Sequence, residues 1–305
     1  MSIIDASLVK KLRDKTGAGF MNCKQALVEV AGDFEKAIEW IKVKGLAAAA
    51  KKADRVAAEG LTAVCIKNNK AVAVEINSET DFVAKNEFFQ NLVTKIADAA
   101  IDYTDIEQLK QAKLPNGQTV GEEIISNIAS IGENLTIRRM ESIKIDQGVI
   151  ASYVHNSCAP NMGKIAVLVA LESTGDQARL YEVAKSIAMH VAAAKPQALN
   201  VESLDPELIA KEKAIFQQQT ENSGKPQNII EKMIEGRIRK FLEEIVLMEQ
   251  VHMIEGNSKI SEVIANLSKE LSTPVKLVAY TRLEVGEGIE KEAKNFAEEV
   301  AAVTR

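Results

Sequence analysis

Histidine, cysteine and paired carboxylates are the side chains from which this chain could build a reactive centre, and the first two are scarce. Three histidines (His155, His190 and His252) and three cysteines (Cys23, Cys65 and Cys158) are spread over 305 residues. His155 and Cys158 are near neighbours, but nothing pairs them with the others at a zinc-ligand or CxxC spacing. No phosphate-cradling glycine loop, zinc-protease pair, nucleophile elbow or calcium loop occurs. The plentiful carboxylates fall on polar helix faces, where solvation explains them. No catalytic residue, metal or cofactor is therefore expected.

The stretch that does call for explanation is Ser78-Glu79-Thr80-Asp81-Phe82-Val83-Ala84-Lys85-Asn86. It joins an apolar strand-like run ending at Ile76 to a helical run starting near Glu87. Turns favour small or polar residues, so Phe82 and Val83 are out of character. Two readings follow from the residues. Phe82 packs back on its own helix, with Thr80 as N-cap and Asp81 favouring the helix dipole. Alternatively, Phe82 projects as an apolar wedge towards a partner.

The elements around this segment are legible from periodicity and caps. Leu8, Val9 and Leu12 mark a first helix ended by Gly17. Asn22 caps a second, carrying Ala26, Leu27 and Val30, and Asp33 caps a third, closed by Gly45. Leu46 to Arg55, rich in Ala and Lys, reads as a helical tether. Leu61 to Ile66 and Ala71 to Ile76 form a hairpin through Lys67-Asn68-Asn69-Lys70. Phe89, Leu92, Val93, Ile96 and Ala100 mark the helix after the motif. Thr119 with Glu122 makes a capping box for the helix bearing Ile124, Ile125, Ile128 and Ile131, and Leu135 to Ile145 is a strand.

The order then repeats: strands Val149 to Val154 and Lys164 to Leu171, a helix with Leu180, Val183, Ala184, Ile187 and Val191, a later helix from Ile260 to Leu271, and a strand Val275 to Val285. The second half also carries two helices joined at Ser223-Gly224-Lys225-Pro226, which should fold into an antiparallel hairpin. The fold class is α+β: a duplicated body of antiparallel three-stranded sheets backed by helices. The expected domains are a helical module and tether over residues 1–55, a first half over 56–146, a second half over 147–285 with the hairpin at about 204–247, and a C-terminal helix over 286–305, with Ala293, Phe296, Ala297 and Val300 on one side.

Composition narrows the class. Charged residues make up 27% and aromatics 4%, with a net charge of −5, which suits a soluble protein with an aliphatic core. The acidic balance argues against phosphate neutralisation as the main mode of binding. The exceptions are basic groups at Lys42, Lys44, Lys51, Lys52 and Arg55, and at Arg237, Arg239 and Lys240. Three unpaired cysteines suit a reducing compartment, and Met1-Ser2-Ile3-Ile4-Asp5 lacks a targeting pattern. A cytoplasmic location is expected.

Several motifs together resemble the bacterial elongation factor Ts family. These are Ala6-Ser7-Leu8-Val9-Lys10-Lys11-Leu12-Arg13 with Thr16-Gly17-Ala18-Gly19, then Thr80-Asp81-Phe82-Val83-Ala84-Lys85-Asn86, Ile187-Ala188-Met189-His190-Val191-Ala192-Ala193, Ser223-Gly224-Lys225-Pro226, and Val285-Gly286-Glu287-Gly288-Ile289-Glu290-Lys291. The resemblance implies an N-terminal module similar to ubiquitin-associated domains, a coiled-coil hairpin, and guanine-nucleotide exchange on the GTPase elongation factor Tu during translation. It implies no covalent chemistry by the chain itself.

By the same resemblance, Thr80, Asp81, Phe82 and Val83 dislodge magnesium from the partner, with Phe82 entering a pocket between two helices of its GTPase domain. Asp81 either competes for the magnesium ligand shell or pushes helix dipoles apart. Phe20 and Met21 are expected to touch another helix of that domain, and the C-terminal helix to return to it. His155 is expected to make a further partner contact, from a loop (residues 155–163) longer than is usual in the family. No nucleic-acid or membrane partner is implied, and the complex is one-to-one or a dimer of heterodimers.

Overall fold

A computed structural model describes residues 4–221 and 226–290 of the chain. Four layers follow one another through the body: helices, sheet, sheet, helices. The first sheet comprises β1 (Glu59–Lys67), β2 (Lys70–Ser78), β3 (Thr136–Lys144) and the two-residue β5 (Met162–Gly163), in the order β3-β2-β1-β5. The second comprises β4 (Gly148–His155), β6 (Ile165–Glu172) and β7 (Lys276–Glu284), in the order β4-β6-β7. All pairings are antiparallel.

Alternation along the central strands explains the layering, because successive side chains point to opposite faces. On β2, Val72, Val74 and Ile76 face the helices α4 (Glu87–Ala100) and α6 (Val120–Ile131), where they meet Phe89, Leu92, Ile96, Ile124 and Ile128. Ala71 and Ala73 face the other way, against Ala166, Leu168 and Ala170 of β6. The alternate β6 residues Val167, Val169 and Leu171 pack under α7 (Gln177–Ala194) and α10 (Ile260–Glu270). Both faces of each sheet are thus covered. Alanines at the sheet-to-sheet contact let the two sheets approach closely.

The sequence repeat has a backbone counterpart. Each half places its middle strand centrally, and each has a register shift in its last pairing, between Glu75 and Ile76 in one and between Ala170 and Leu171 in the other. Each first strand also needs a glycine at its start. Gly60 has φ +126° and Gly148 φ +133°, and a Cβ there would lie 2.1 Å from the Ile76 carbonyl oxygen and 2.0 Å from that of Leu171. A short helix, α5 (Ile106–Gln111), separates α4 from α6 in the first half. The second half instead inserts α8 (Pro206–Glu221) and α9 (Gln227–Ile245). These two form an antiparallel pair, with Leu208 and Ile209 near Phe241 and Leu242 at the base and Arg237 over the Phe216 ring further out.

The N-terminal helices are α1 (Ala6–Thr16), α2 (Phe20–Glu29) and α3 (Phe34–Ala50), around a core of Val9, Leu12, Cys23, Leu27 and Ala37. Gly17 in the left-handed region ends α1, and Asp33 caps α3 through the Lys36 amide, as expected. Two expectations need correction. Asn22 does not cap α2, which starts at Phe20 with Gly19 as N-cap.

Nor does Gly45 end α3, which runs on to Ala50. Gly45 is there for close packing: a Cβ at this position would lie 3.2 Å from Ile125 Cγ2 on α6. Lys42 pairs with Glu122 at 2.5 Å, and the hydroxyl of Ser126 donates to the Thr16 carbonyl at 2.9 Å. Residues 46–50, expected as the start of a helical tether, are helical but belong to the end of α3, which docks the head onto α6. The expected C-terminal helix and the hairpin turn at Ser223-Gly224-Lys225 lie outside the described residues.

Candidate partner-binding site

The motif follows β2 and begins with hydrogen bonds rather than with a helix. Ser78 donates its hydroxyl to the Thr80 carbonyl at 3.0 Å. The amides of Glu79 and Thr80 both donate to Glu133 Oε2 at 3.0 Å, and the Thr80 hydroxyl donates to Glu133 Oε1 at 2.6 Å. In return the Asn134 amide donates to Glu79 Oε1 at 2.6 Å. Thr80 is thus occupied by Glu133, and the N-cap of α4 is Asn86, whose side chain accepts from the Phe88 amide at 2.8 Å.

This arrangement excludes the reading in which Phe82 packs back on its own helix. Val83-Ala84-Lys85 form one 3₁₀ turn, and Val83 and Ala84 are buried in the first-half core. Phe82 points the other way and is 76% exposed. An apolar side chain is thus bound underneath and an aromatic is displayed above it. Asp81 is exposed beside it. Of the four motif residues, Val83 is 6% exposed and supports the turn from inside. Phe88, in the first turn of α4, is a second exposed aromatic close in sequence, and it was not singled out by sequence reasoning.

The other candidates lie on different elements. Phe20 and Met21 open α2 and are 47% and 71% exposed. They project from the head because Cys23, Ala26 and Leu27 take the inward face of that helix. His155 ends β4, exposed, with Nδ1 3.1 Å from the Tyr153 hydroxyl. The loop after it turns through Asn156 and Asn161, both at positive φ, and returns as β5 beside β1. Here the structure adds a strand that the alternation pattern did not announce. Cys158 in this loop reaches within 4.0 Å of the Ala84 carbonyl, so the second half touches the turn that carries the motif.

The buried polar groups are structural in their surroundings. Glu75, 0% exposed, accepts from Arg138, Arg139, Asn77 and the Gly286 amide. Burial by itself would push its carboxyl up, but the Gly286 amide and the Arg139, Asn77 and Arg138 side chains outweigh it and hold the group below its ordinary range. His190 Nδ1 accepts from the Met253 amide, so its Nε2 carries the proton given to Gln250 Oε1 at 2.9 Å. Burial pushes its pKa down, reinforced by the neighbouring His252 ring and opposed by the Gln250 contact. Among the described residues no cluster of three or more His, Cys, Asp or Glu is placed to hold a metal ion, and no helix is long and apolar enough to cross a membrane.

Among the basic groups, Arg55 faces Glu79 and Lys42 faces Glu122, while Arg237 is held by Gln219 and Phe216.

The family model for elongation factor Ts matches residues 79–287, beginning within the motif. A relative from Rickettsia bellii named elongation factor Ts is 55% identical over 303 residues, covering 99% of this chain and 98% of its own length. One of the same name from Rhodospirillum centenum is 51% identical over 305 residues, covering 99% of each. The chain belongs to the elongation factor Ts family. Membership of this translation-factor family agrees with the resemblance first carried by the motifs, and with a mixed fold of helices and two antiparallel sheets.

What sequence reasoning missed is the partner of the motif, Glu133. It lies 53 residues from Thr80, and no local pattern links the two. The only available signal was Gly132-Glu133-Asn134 directly after a well-capped helix.

Proposed function

We propose that the chain is a guanine-nucleotide exchange factor that binds elongation factor Tu, displaces its magnesium and promotes GDP release so that GTP can bind during translation elongation. The observation that carries this reading is Phe82, largely exposed on a turn that is anchored from below by Val83 and from the side by Glu133. A rigid apolar projection can hold a partner's helices apart only if it does not fold back itself.

The energetics are those of linkage. A GTPase binds its nucleotide partly through magnesium bridging the phosphates. A factor that prefers the nucleotide-free form must weaken nucleotide by the same factor. Phe82 supplies apolar burial in the partner's GTPase domain, and Asp81 brings a carboxylate to the magnesium side of the same contact. Thr80 and Val83 hold these two in place. Phe20 and Met21 give the head a second contact on the same domain, and His155 contributes a third patch from the second half. The chain makes and breaks no covalent bond in this scheme, acts in the cytoplasm, and needs no cofactor of its own.

The test is the release of fluorescent GDP from elongation factor Tu with and without this protein. Acceleration by orders of magnitude is expected, and an unchanged release rate would refute the proposal. Light scattering on the purified complex distinguishes the one-to-one from the two-to-two assembly.

A further inference from the structure

We propose that Glu133 is a positioning residue for nucleotide exchange: its one carboxylate sets the direction in which the Asp81-Phe82 tip projects. The inference rests on the exchange reading above, and it adds a residue outside the motif.

Three donors from two consecutive motif residues converge on Glu133: the Glu79 and Thr80 amides at 3.0 Å each and the Thr80 hydroxyl at 2.6 Å. Hydrogen bonds to an ionised acceptor are among the strongest available, and two adjacent amides aimed at one anion fix the backbone between them. The position of the carboxylate is itself determined. The capping-box helix α6 ends at Gly132 in the left-handed conformation, and Glu133 follows at once. Asn134 closes the arrangement from the other side. Its amide donates to Glu79, and its side chain donates to the Arg55 carbonyl at 2.8 Å.

Glu133 thus joins the motif to the end of a helix whose other turns carry the head, through Lys42 to Glu122 and Ser126 to Thr16. The turn leaves the end of β2, and its other bonds before Val83 are those of the Ser78 hydroxyl to the Thr80 carbonyl and of the Asn134 amide and Arg55 to the Glu79 side chain. Without the carboxylate, the Glu79 and Thr80 amides turn to water and the tip samples several directions. The partner would still be bound through the remaining patches, but only a fraction of encounters would present Phe82 correctly, and the effective rate falls with that fraction.

The experiment compares Glu133→Ala and Glu133→Gln, alone and combined with Phe82→Ala, by GDP release at varied factor concentration and by amide hydrogen exchange on the free protein. Release at saturating Glu133→Ala should fall about tenfold, while the half-saturating concentration shifts less than about threefold. Glu133→Gln keeps one acceptor oxygen and should fall between Glu133→Ala and the wild type. In the Phe82→Ala background, Glu133→Ala should add less than about a twofold loss, because its effect passes through the wedge. The Glu79 and Thr80 amides should exchange at least about tenfold faster in Glu133→Ala.

Unchanged exchange at these two amides overturns the latch whether or not the protein acts on a GTPase. Full-rate GDP release by Glu133→Ala, or an equal loss with and without Phe82, overturns the positioning role while leaving the exchange reading intact. A wild-type protein that does not accelerate release, with the amides still freed in Glu133→Ala, rejects the exchange reading and with it the role of Glu133 in exchange. Should Glu133→Ala fail to fold, Glu133→Gln carries the same three readouts.

Discussion

Replacing Phe82 by Ala separates a partner-facing wedge from a residue that holds its own domain together. Phe82 is 76% exposed in the free protein. A Phe can bury roughly 150–250 Å², so the exposed part leaves on the order of 150 Å² to be covered by a partner. At about 25 cal/mol per Å² the ceiling is ~3–4 kcal/mol, and the usual yield for burying one Phe is roughly 1.5–3 kcal/mol. With ~1.4 kcal/mol per decade, Phe82→Ala should slow stimulated GDP release about ten- to a hundredfold.

Thermal stability should barely move, because little of the side chain is buried to begin with. If Phe82 were instead a packing residue, truncation would cost about 3–5 kcal/mol and lower the melting temperature by roughly 6–20 °C. The assays are stopped-flow release of labelled GDP from elongation factor Tu and a calorimetric melt of the same preparation. A large drop in melting temperature, or full-rate release with an unchanged melt, would refute the argument.

Glu75 links β2 to Arg138, Arg139 and the Gly286 amide, and its depressed pKa means that it binds fewer protons folded than unfolded just below the unfolded value. Its contribution is complete above the unfolded value of about 4.3 and disappears as pH falls through the lower folded value. Glu75→Gln should cost about 3 kcal/mol at neutral pH by stranding the arginines and flatten the acid limb of a urea-denaturation series. His190, also depressed, is held neutral by burial. Its contribution is therefore full above about pH 6.5 and declines below it, and His190→Gln should remove that slope between pH 7 and 5. Gly60→Ala and Gly148→Ala should each destabilise by more than ~2 kcal/mol, since each Cβ would meet a carbonyl of the adjacent strand. If either melts like the wild type, the strained geometry at the strand start is wrong.

Most of the body was readable because its signals are local. Phe89, Leu92, Val93 and Ile96 repeat at helical spacing and are all buried, and the Thr119 and Glu122 box forms as expected. What was not readable depends on contacts distant in sequence. Gly45 looks like a helix stop in isolation, yet it allows α3 to approach Ile125, 80 residues on. β5 is two residues in a polar loop and exists only because Thr62 and Ala63 offer an edge. The direction of Phe82 was undecidable from the motif, because the local alternative required Thr80 to cap a helix. Thr80 is claimed instead by Glu133, and Asn86 does the capping.

The layered body has a consequence for how force could pass between factor and partner. Prising two helices of a GTPase apart is possible only if the factor is stiffer than what it deforms. The motif leaves β2, whose two faces are both packed, on one side against Phe89 and Leu92 and on the other through Ala71 and Ala73 against β6. Close-packed interiors transmit strain rather than absorb it. The weak point is the turn itself, which lies outside both cores from Glu79 to Phe82. Val83 fixes its far end by burial and Glu133 its near end by charge-assisted hydrogen bonds. Two anchors of different physical kind leave the tip between them little freedom except to point outward. Loosening either one should reduce exchange more than it reduces stability.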